Sequence, residues 1–203
     1  MSHSAVLVAI EPTDDVMKAV SHQMAPFDEN IAGELFGDGS RWDWWVIGGR
    51  YAGRLLGKDI ISRSEVDFDQ MRIDEIARYT RHWESSQRYA SDAHYEFLTG
   101  IKPGLSREDY TQSKVKTGFP WFGAFLKDRT WHEHERMGWF GATMKTECEL
   151  RGAETHVCLF ENKDLGSKIY SWQSNEAWDE IFYKRFVDQL PLETLLVCVD
   201  YHV

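Results

Sequence analysis

Trp42-Asp43-Trp44-Trp45-Val46-Ile47-Gly48-Gly49-Arg50 gathers three indoles, a glycine pair and a guanidinium in one short stretch. Flat aromatic faces beside backbone that a ligand can approach closely, with an arginine at hand, suit a molecule bearing both a π-face and an anionic group. Trp42, Trp44 and Trp45 are the candidate stacking residues, and Gly48, Gly49 and Arg50 the candidate anion contacts. Because Arg50 follows two glycines, open amides and a fork of donors would meet a phosphate together. The same residues also fit an aromatic core hairpin turned by its glycines, with Arg50 paired to Asp43 or Asp67. The Gly-Gly pair is neither a phosphate loop nor a dinucleotide fingerprint.

His3 near the start of the chain and Asp200-x-His202 near its end form a second set. If the terminal strands are neighbours, both imidazoles fall at one end of a sheet, and Asp200 shares a face with His202. A histidine oriented by a carboxylate is suited to proton transfer near neutral pH. His132-Glu133-His134-Glu135 is the third set. On a strand His132 and His134 share a face and could bind one Zn²⁺, although the spacing is not that of the helical HExxH motif. The plainer readings are terminal polar residues flanking a core strand for His3, Asp200 and His202, and solvated polar residues after a hairpin turn for His132–Glu135. No nucleophile elbow is present, and Cys148, Cys158 and Cys198 lie in no recognisable catalytic setting.

The elements that must position these groups are partly legible. Residues 5–10 read as a buried strand, and Pro12-Thr13-Asp14-Asp15 starts a helix over 14–22. Residues 31–41 are loop, and 42–47 read as a strand that turns at Gly48-Gly49 into a second strand through Leu56. From Ser64 to 117 the spacing becomes helical, with Val66, Ile73, Ile76, Ala77, Trp83, Ala90, Ala93 and Phe97 forming the apolar stripe. Further strands are predicted at 121–126, 130–133, 156–160 and 194–202, and an amphipathic helix at 176–189 with Trp178, Ile181, Phe182 and Phe186 inward. Strongly apolar strands at both termini suggest that they lie together at the centre of one sheet. The expected fold class is α+β: one domain over 1–203, an antiparallel or mixed sheet that a ferredoxin-like arrangement would fit, and a helical insertion around 64–117.

Bulk properties narrow the function classes. The 203-residue chain is 42% apolar and unusually aromatic, and it has no apolar run long enough to span a membrane. It begins without the basic segment and cleavage site of a signal peptide. Three scattered cysteines without a CxxC fit reduced cytosolic thiols. A net charge of −10 opposes non-specific duplex binding while leaving room for a local basic pocket or an acidic face toward a basic protein.

One resemblance cuts across these readings. The Met1-Ser2-His3 start before a Val-Leu-Val strand, Ala25-Pro26-Phe27-Asp28-Glu29-Asn30 and Trp42-Asp43-Trp44-Trp45-x-Ile47-Gly48-Gly49-Arg50 carry its first half. Val66-Asp67-Phe68-x-x-Met71-Arg72, Trp131-His132-Glu133-x-x-x-Met137-Gly138-Trp139-Phe140-Gly141 and the terminal Asp200-x-His202 carry the rest. Taken in order, these motifs resemble a family of small uncharacterised phage and prophage proteins. Ser4, Tyr51 and Glu135 depart from that pattern, where an aromatic residue, Trp and Gly are usual. The resemblance implies a viral accessory protein in a bacterial cytoplasm and brings no activity with it.

The leading expectation is a phage-encoded accessory protein, with a counter-defence role in view, that binds and could cleave a nucleotide-like small molecule as a phosphodiesterase-type hydrolase. In that scheme His132 and His202 exchange protons, Asp200 orients His202, His3 joins them, and Arg50 stabilises phosphate charge. The sequence leaves the cofactor open. The rivals are a non-enzymatic acidic inhibitor that covers a basic host protein with its 64–99 helices, and a metal-dependent hydrolase using His132 and His134.

Overall fold

The computed structural model describes residues 3–29, 41–114, 120, 122–133, 157–162, 168–173 and 182–202. Strand β1 (His3–Ile10) is buried along almost its whole length. Helix α1 (Val16–Met24) follows, its first turn capped by Asp15, whose carboxylate accepts from the Lys18 amide at 3.1 Å. Next come β2 (Trp44–Ile47) and β3 (Ile60–Ser62). The helical block is α2 (Phe68–Ser86), α3 (Tyr95–Thr99) and α4 (Arg107–Lys114). Strands β4 (Ala124–Lys127), β5 (Thr130–Glu133), β6 (Val157–Asn162), β7 (Lys168–Gln173) and β8 (Leu195–His202) complete the described elements.

The main sheet is mixed and six-stranded, in the order β2-β8-β1-β4-β5 with β3 also on β8. β1 runs antiparallel to β8, from His3 opposite His202 to Ile10 opposite Leu195, and parallel to β4. The two terminal strands therefore pair along their full length at the centre of the sheet, as their apolar composition implied. β6 and β7 form a separate antiparallel pair. This is the expected α+β class with a helical block between β3 and β4; the strand order does not confirm a ferredoxin-like arrangement.

Alternation along β1 and β8 builds two cores. One face carries Val6, Val8, Val197, Val199 and Tyr201 and is covered by Val20 and Met24 of α1, with Trp42, Trp45 and Trp131. The other carries Ala5, Leu7, Leu196 and Cys198 and is covered by Phe182, Tyr183 and Phe186, whose segment makes a π-helical turn over Tyr183–Val187. The helical block has a smaller cluster of its own around Tyr95, Ile101 and Tyr110.

Three local expectations are corrected. The segment after Gly48-Gly49 is not the return strand of a hairpin. β2 and β3 lie in line on the same edge of β8, with Ile47 opposite Val199 and Ile60 opposite Val197. Between them the chain leaves the sheet, and both ends of the excursion are tied to one residue: the Gly48 amide donates to Cys198 O, and the Cys198 amide donates to Asp59 O, each at 2.8 Å. Residues 48–59 thus form a compact loop closed on the sheet edge, because positive φ at Gly48 and Gly49 (74° and 54°) turns the chain away from strand geometry.

The apolar stripe of the helical block is also displaced. Met71, Glu75 and Ser86 are the buried positions of α2, while Ile73 and Ile76 are exposed and Phe97 on α3 is 89% exposed. The loop 52–57 and α4 pack against a face of α2 rotated from the one that apolar residue types alone suggested. The third difference lies in the predicted helix 176–189, whose described part, 182–189, winds as a π turn over Tyr183–Val187; its positions 176–181, with Trp178 and Ile181, fall outside the described residues.

Candidate functional site

The register of β1, β8 and β2 places His3 opposite His202 and His202 opposite Trp44, a row across one end of the sheet. The His3 and His202 rings lie 5.2 Å apart between centroids, inclined at 64°, and His3 meets the Trp44 ring edge-on at 6.1 Å. Trp44 is half exposed, so an indole face borders this histidine pair from the solvent side.

Each imidazole is held by its own carboxylate. His3 Nδ1 donates to Asp200 Oδ1 at 2.9 Å, and His202 Nδ1 donates to Asp43 Oδ1 at 2.7 Å. An ionised carboxylate can only accept, so the hydrogen sits on Nδ1 of each ring and each Nε2 is left for chemistry. This corrects one pairing: Asp200 orients His3, not His202. Along β8, Asp200 and His202 point to the same face two residues apart, but the cross-strand neighbour reaches Asp200 first. Asp43 then takes His202, and its own amide donates to His202 O at 3.1 Å, making a two-point contact.

Asp200 is 1% exposed and is held by a second donor, the Arg50 amide, on Oδ2 at 2.9 Å. The loop after β2 therefore receives an anion, but the anion is Asp200 of the same chain. Gly49 permits this approach, since a Cβ there would lie 2.5 Å from Asp200 Oδ2. Gly48 makes a matching close approach to Asp59, whose carboxylate also accepts from the Gly53 amide at 2.7 Å. The Arg50 side chain is exposed. Its alternative partners are engaged elsewhere: Asp43 on His202, and Asp67 as the cap of α2, accepting from the Gln70 amide.

Compared with protein-family models, curated proteins and solved structures, the chain finds no match in any of the three. The site therefore stands on its geometry alone.

The remaining candidates separate clearly. Trp42 is buried, donates from Nε1 to Met24 O at 3.1 Å and meets Trp45 edge-on at 6.4 Å, so these two indoles are core on the α1 side of the sheet. Only Trp44, on the opposite face of β2, borders the histidines. His132 does not converge on the pair. It lies opposite Phe125, which lies opposite Leu7, about 13 Å along the strand direction from His3 and two strands away. There it packs against Phe186 at 5.1 Å and Phe125 at 6.4 Å, and burial, with Arg185 nearby, pushes its pKa down. His134 falls outside the described residues. Among the described residues no group of three His, Cys, Asp or Glu side chains could hold a metal ion, and no helix is long and apolar enough to cross a membrane.

From the sequence Asp43 is a partner only for Arg50, and Tyr51 only a departure from the resembled pattern; the structure ties both to the histidine row. The Tyr51 hydroxyl donates to His3 O at 2.9 Å, anchoring the β1 end of the row. A signal for Asp43 existed in its place just before the strand that borders β8, but only the register reveals its partner. Cys198, buried beneath the loop with its thiol pushed up to about 12 by burial, is held away from thiolate chemistry.

Proposed function

We propose that the His3–His202 face binds a nucleotide-like phosphoester and that the paired imidazoles serve its hydrolysis. The observation that carries the reading is the disposition of two imidazoles 5.2 Å apart, each fixed through Nδ1 by a carboxylate, leaving both Nε2 atoms for proton transfer. The half-exposed Trp44 offers a stacking face, and the exposed side chain of Arg50, whose own amide holds Asp200, supplies positive charge from the loop.

In the proposed reaction one neutral imidazole takes a proton from a water whose oxygen bonds to phosphorus. The other, as imidazolium, gives a proton to the ester oxygen as the phosphorus–oxygen bond breaks. Turnover exchanges the protonation states of the pair, and solvent resets them. This replaces the His132/His202 assignment with His3/His202 and moves the orienting role for His202 from Asp200 to Asp43. The phage resemblance, and with it a counter-defence role in a bacterial cytoplasm, fits removal of a signalling nucleotide.

The test is a thermal-shift screen against cyclic and linear nucleotides, followed by chromatography of each mixture. A ligand at 100 times its Kd stabilises the fold by about 2.7 kcal/mol, a readable shift. Loss of the shift in Trp44→Ala and loss of product in His3→Ala and His202→Ala are expected; retention of both in all three variants overturns the proposal.

A second reading, an acidic protein that docks on a basic partner, is favoured by the exposure of the neighbouring Phe97 and Leu98 on the helical block. Salt-sensitive partner capture that Phe97→Ser abolishes, without any nucleotide effect, would select it.

A further inference from the structure

Cys198 closes the loop 48–59 through both of its backbone groups, and it stands two residues before Asp200 on β8. The loop therefore hangs from the strand that carries the carboxylate of His3. From it the Arg50 amide donates to Asp200 Oδ2 and the Tyr51 hydroxyl donates to His3 O, each at 2.9 Å. His202 is served differently, by Asp43, which precedes β2 and lies outside the loop. Among the described residues no loop group bonds His202 or Asp43. The loop grips one half of the histidine row.

Asp59 braces this loop from within. Its Oδ1 accepts from the Gly53 amide at 2.7 Å, a charge-assisted bond. Its Oδ2 occupies the space that any side chain on Gly48 would need. Its backbone carbonyl is the group that receives the Cys198 amide. One residue thus fixes the start, middle and end of the excursion. The turn it braces has the Tyr51 amide on Gly48 O at 2.9 Å and the Ala52 amide on Gly49 O at 3.3 Å. That turn sets the direction of the Arg50 amide and the place of the Tyr51 ring.

We propose that Asp59 is a positioning residue for His3. Its carboxylate holds the loop in the shape that presents the Arg50 amide to Asp200 and the Tyr51 hydroxyl to the His3 carbonyl; Asp200 in turn orients the imidazole. Asp200 is 1% exposed, so water does not replace a donor that the loop withdraws. The device acts on one imidazole of the two. Its consequence for turnover rests on the proposed hydrolysis, whereas its effect on the His3 ring does not. Displacing a catalytic group by about 1 Å from a distance can cost about 10²-fold in rate.

The experiment follows the ring Nδ1–H signals of His3 and His202 by NMR in the full chain labelled with ¹⁵N-histidine. Asp59→Ala is expected to shift the His3 signal and to speed its exchange with water by about tenfold or more, leaving His202 in place. Asp59→Asn, which keeps an acceptor for the Gly53 amide, is expected to restore the His3 signal. Asp59→Ser, whose hydroxyl falls short of that amide, keeps the test valid if Asp59→Ala does not fold. On a nucleotide that the protein hydrolyses, Asp59→Ala should lower kcat by about 10²-fold with KM nearly held, and Asp59→Asn should recover it. An undisturbed His3 signal in the Ala and Ser variants overturns the proposal. So does equal disturbance of both histidines, which marks a general loosening of the fold. His3 disturbed alone in a protein that turns over no nucleotide overturns the hydrolysis and upholds the role of Asp59.

Discussion

Asp200 occupies the space in which any side chain at residue 49 would have to stand. An added Cβ on Gly49 would lie 2.5 Å from Asp200 Oδ2 and 2.6 Å from its Cβ, at a backbone φ of +54°. The glycine pair is thus required by a carboxylate that reaches in from the neighbouring strand. Gly49→Ala is expected to cost about 1–3 kcal/mol of stability through clash and positive-φ strain. It should also loosen His3 by displacing its partner. Urea unfolding with the His3 ring proton resonances as a local reporter reads both effects.

The two carboxylates of the row should respond unequally to substitution. Asp200 accepts from the His3 ring and the Arg50 amide, and an asparagine has one acceptor oxygen for two donors. Asp200→Asn is expected to lose about 1–3 kcal/mol, as for a buried donor left unpaired. Asp43 is more exposed, so Asp43→Asn should cost about 1 kcal/mol or less. In the proposed hydrolysis both should lower turnover, which separates the chemical role from the structural one.

Trp42 and Trp44 are expected to part company in the same way. Trp42→Ala empties a buried position and should destabilise by about 3–5 kcal/mol. Trp44→Ala, at a half-exposed edge position, should leave the melting temperature nearly unchanged while weakening any stacked ligand. A folded Trp42→Ala protein with native melting temperature would show that this indole is not core.

If the His3–His202 pair transfers protons, alanine at either position should reduce single-turnover rates by about 10²–10⁴-fold. His132→Phe, whose ring would remain between Phe125 and Phe186, should leave the rate near wild type. The reverse ranking would restore His132 to the chemistry.

His132 also supplies a pH signature of the fold. Its folded pKa is lowered from 6.5 by burial and by Arg185. The unfolded chain therefore binds the proton more readily, and stability rises with pH across the window between the folded value and 6.5. The contribution is fully present above pH 6.5 and is lost as pH falls through the folded pKa. His82 is shifted down too, by burial and by Arg78 and Lys114, and adds to the same window. His132→Phe is expected to flatten the acid limb of the unfolding curve in part, and His132→Phe with His82→Gln to flatten it further.

Alternation and capping made several elements legible in advance. The apolar runs at 5–10 and 194–202 could only be satisfied by burial on both faces, so their central pairing followed from composition. Asp15 announced α1, and the pairing of the terminal strands put His3 and His202 at one end of the sheet. What the sequence determined was therefore the fold class, the central strand pair and the histidines it carries. Tertiary structure alone decided which carboxylate serves which imidazole, because that depends on a cross-strand register and on a loop that leaves the sheet at Gly48 and returns at Asp59. It likewise decided that Trp42 and Trp45 are core while Trp44 faces the histidines, and that His132 belongs to a phenylalanine cluster. Residue type reports how much a side chain gains by burial; it does not report the direction in which the strand beneath it is turned.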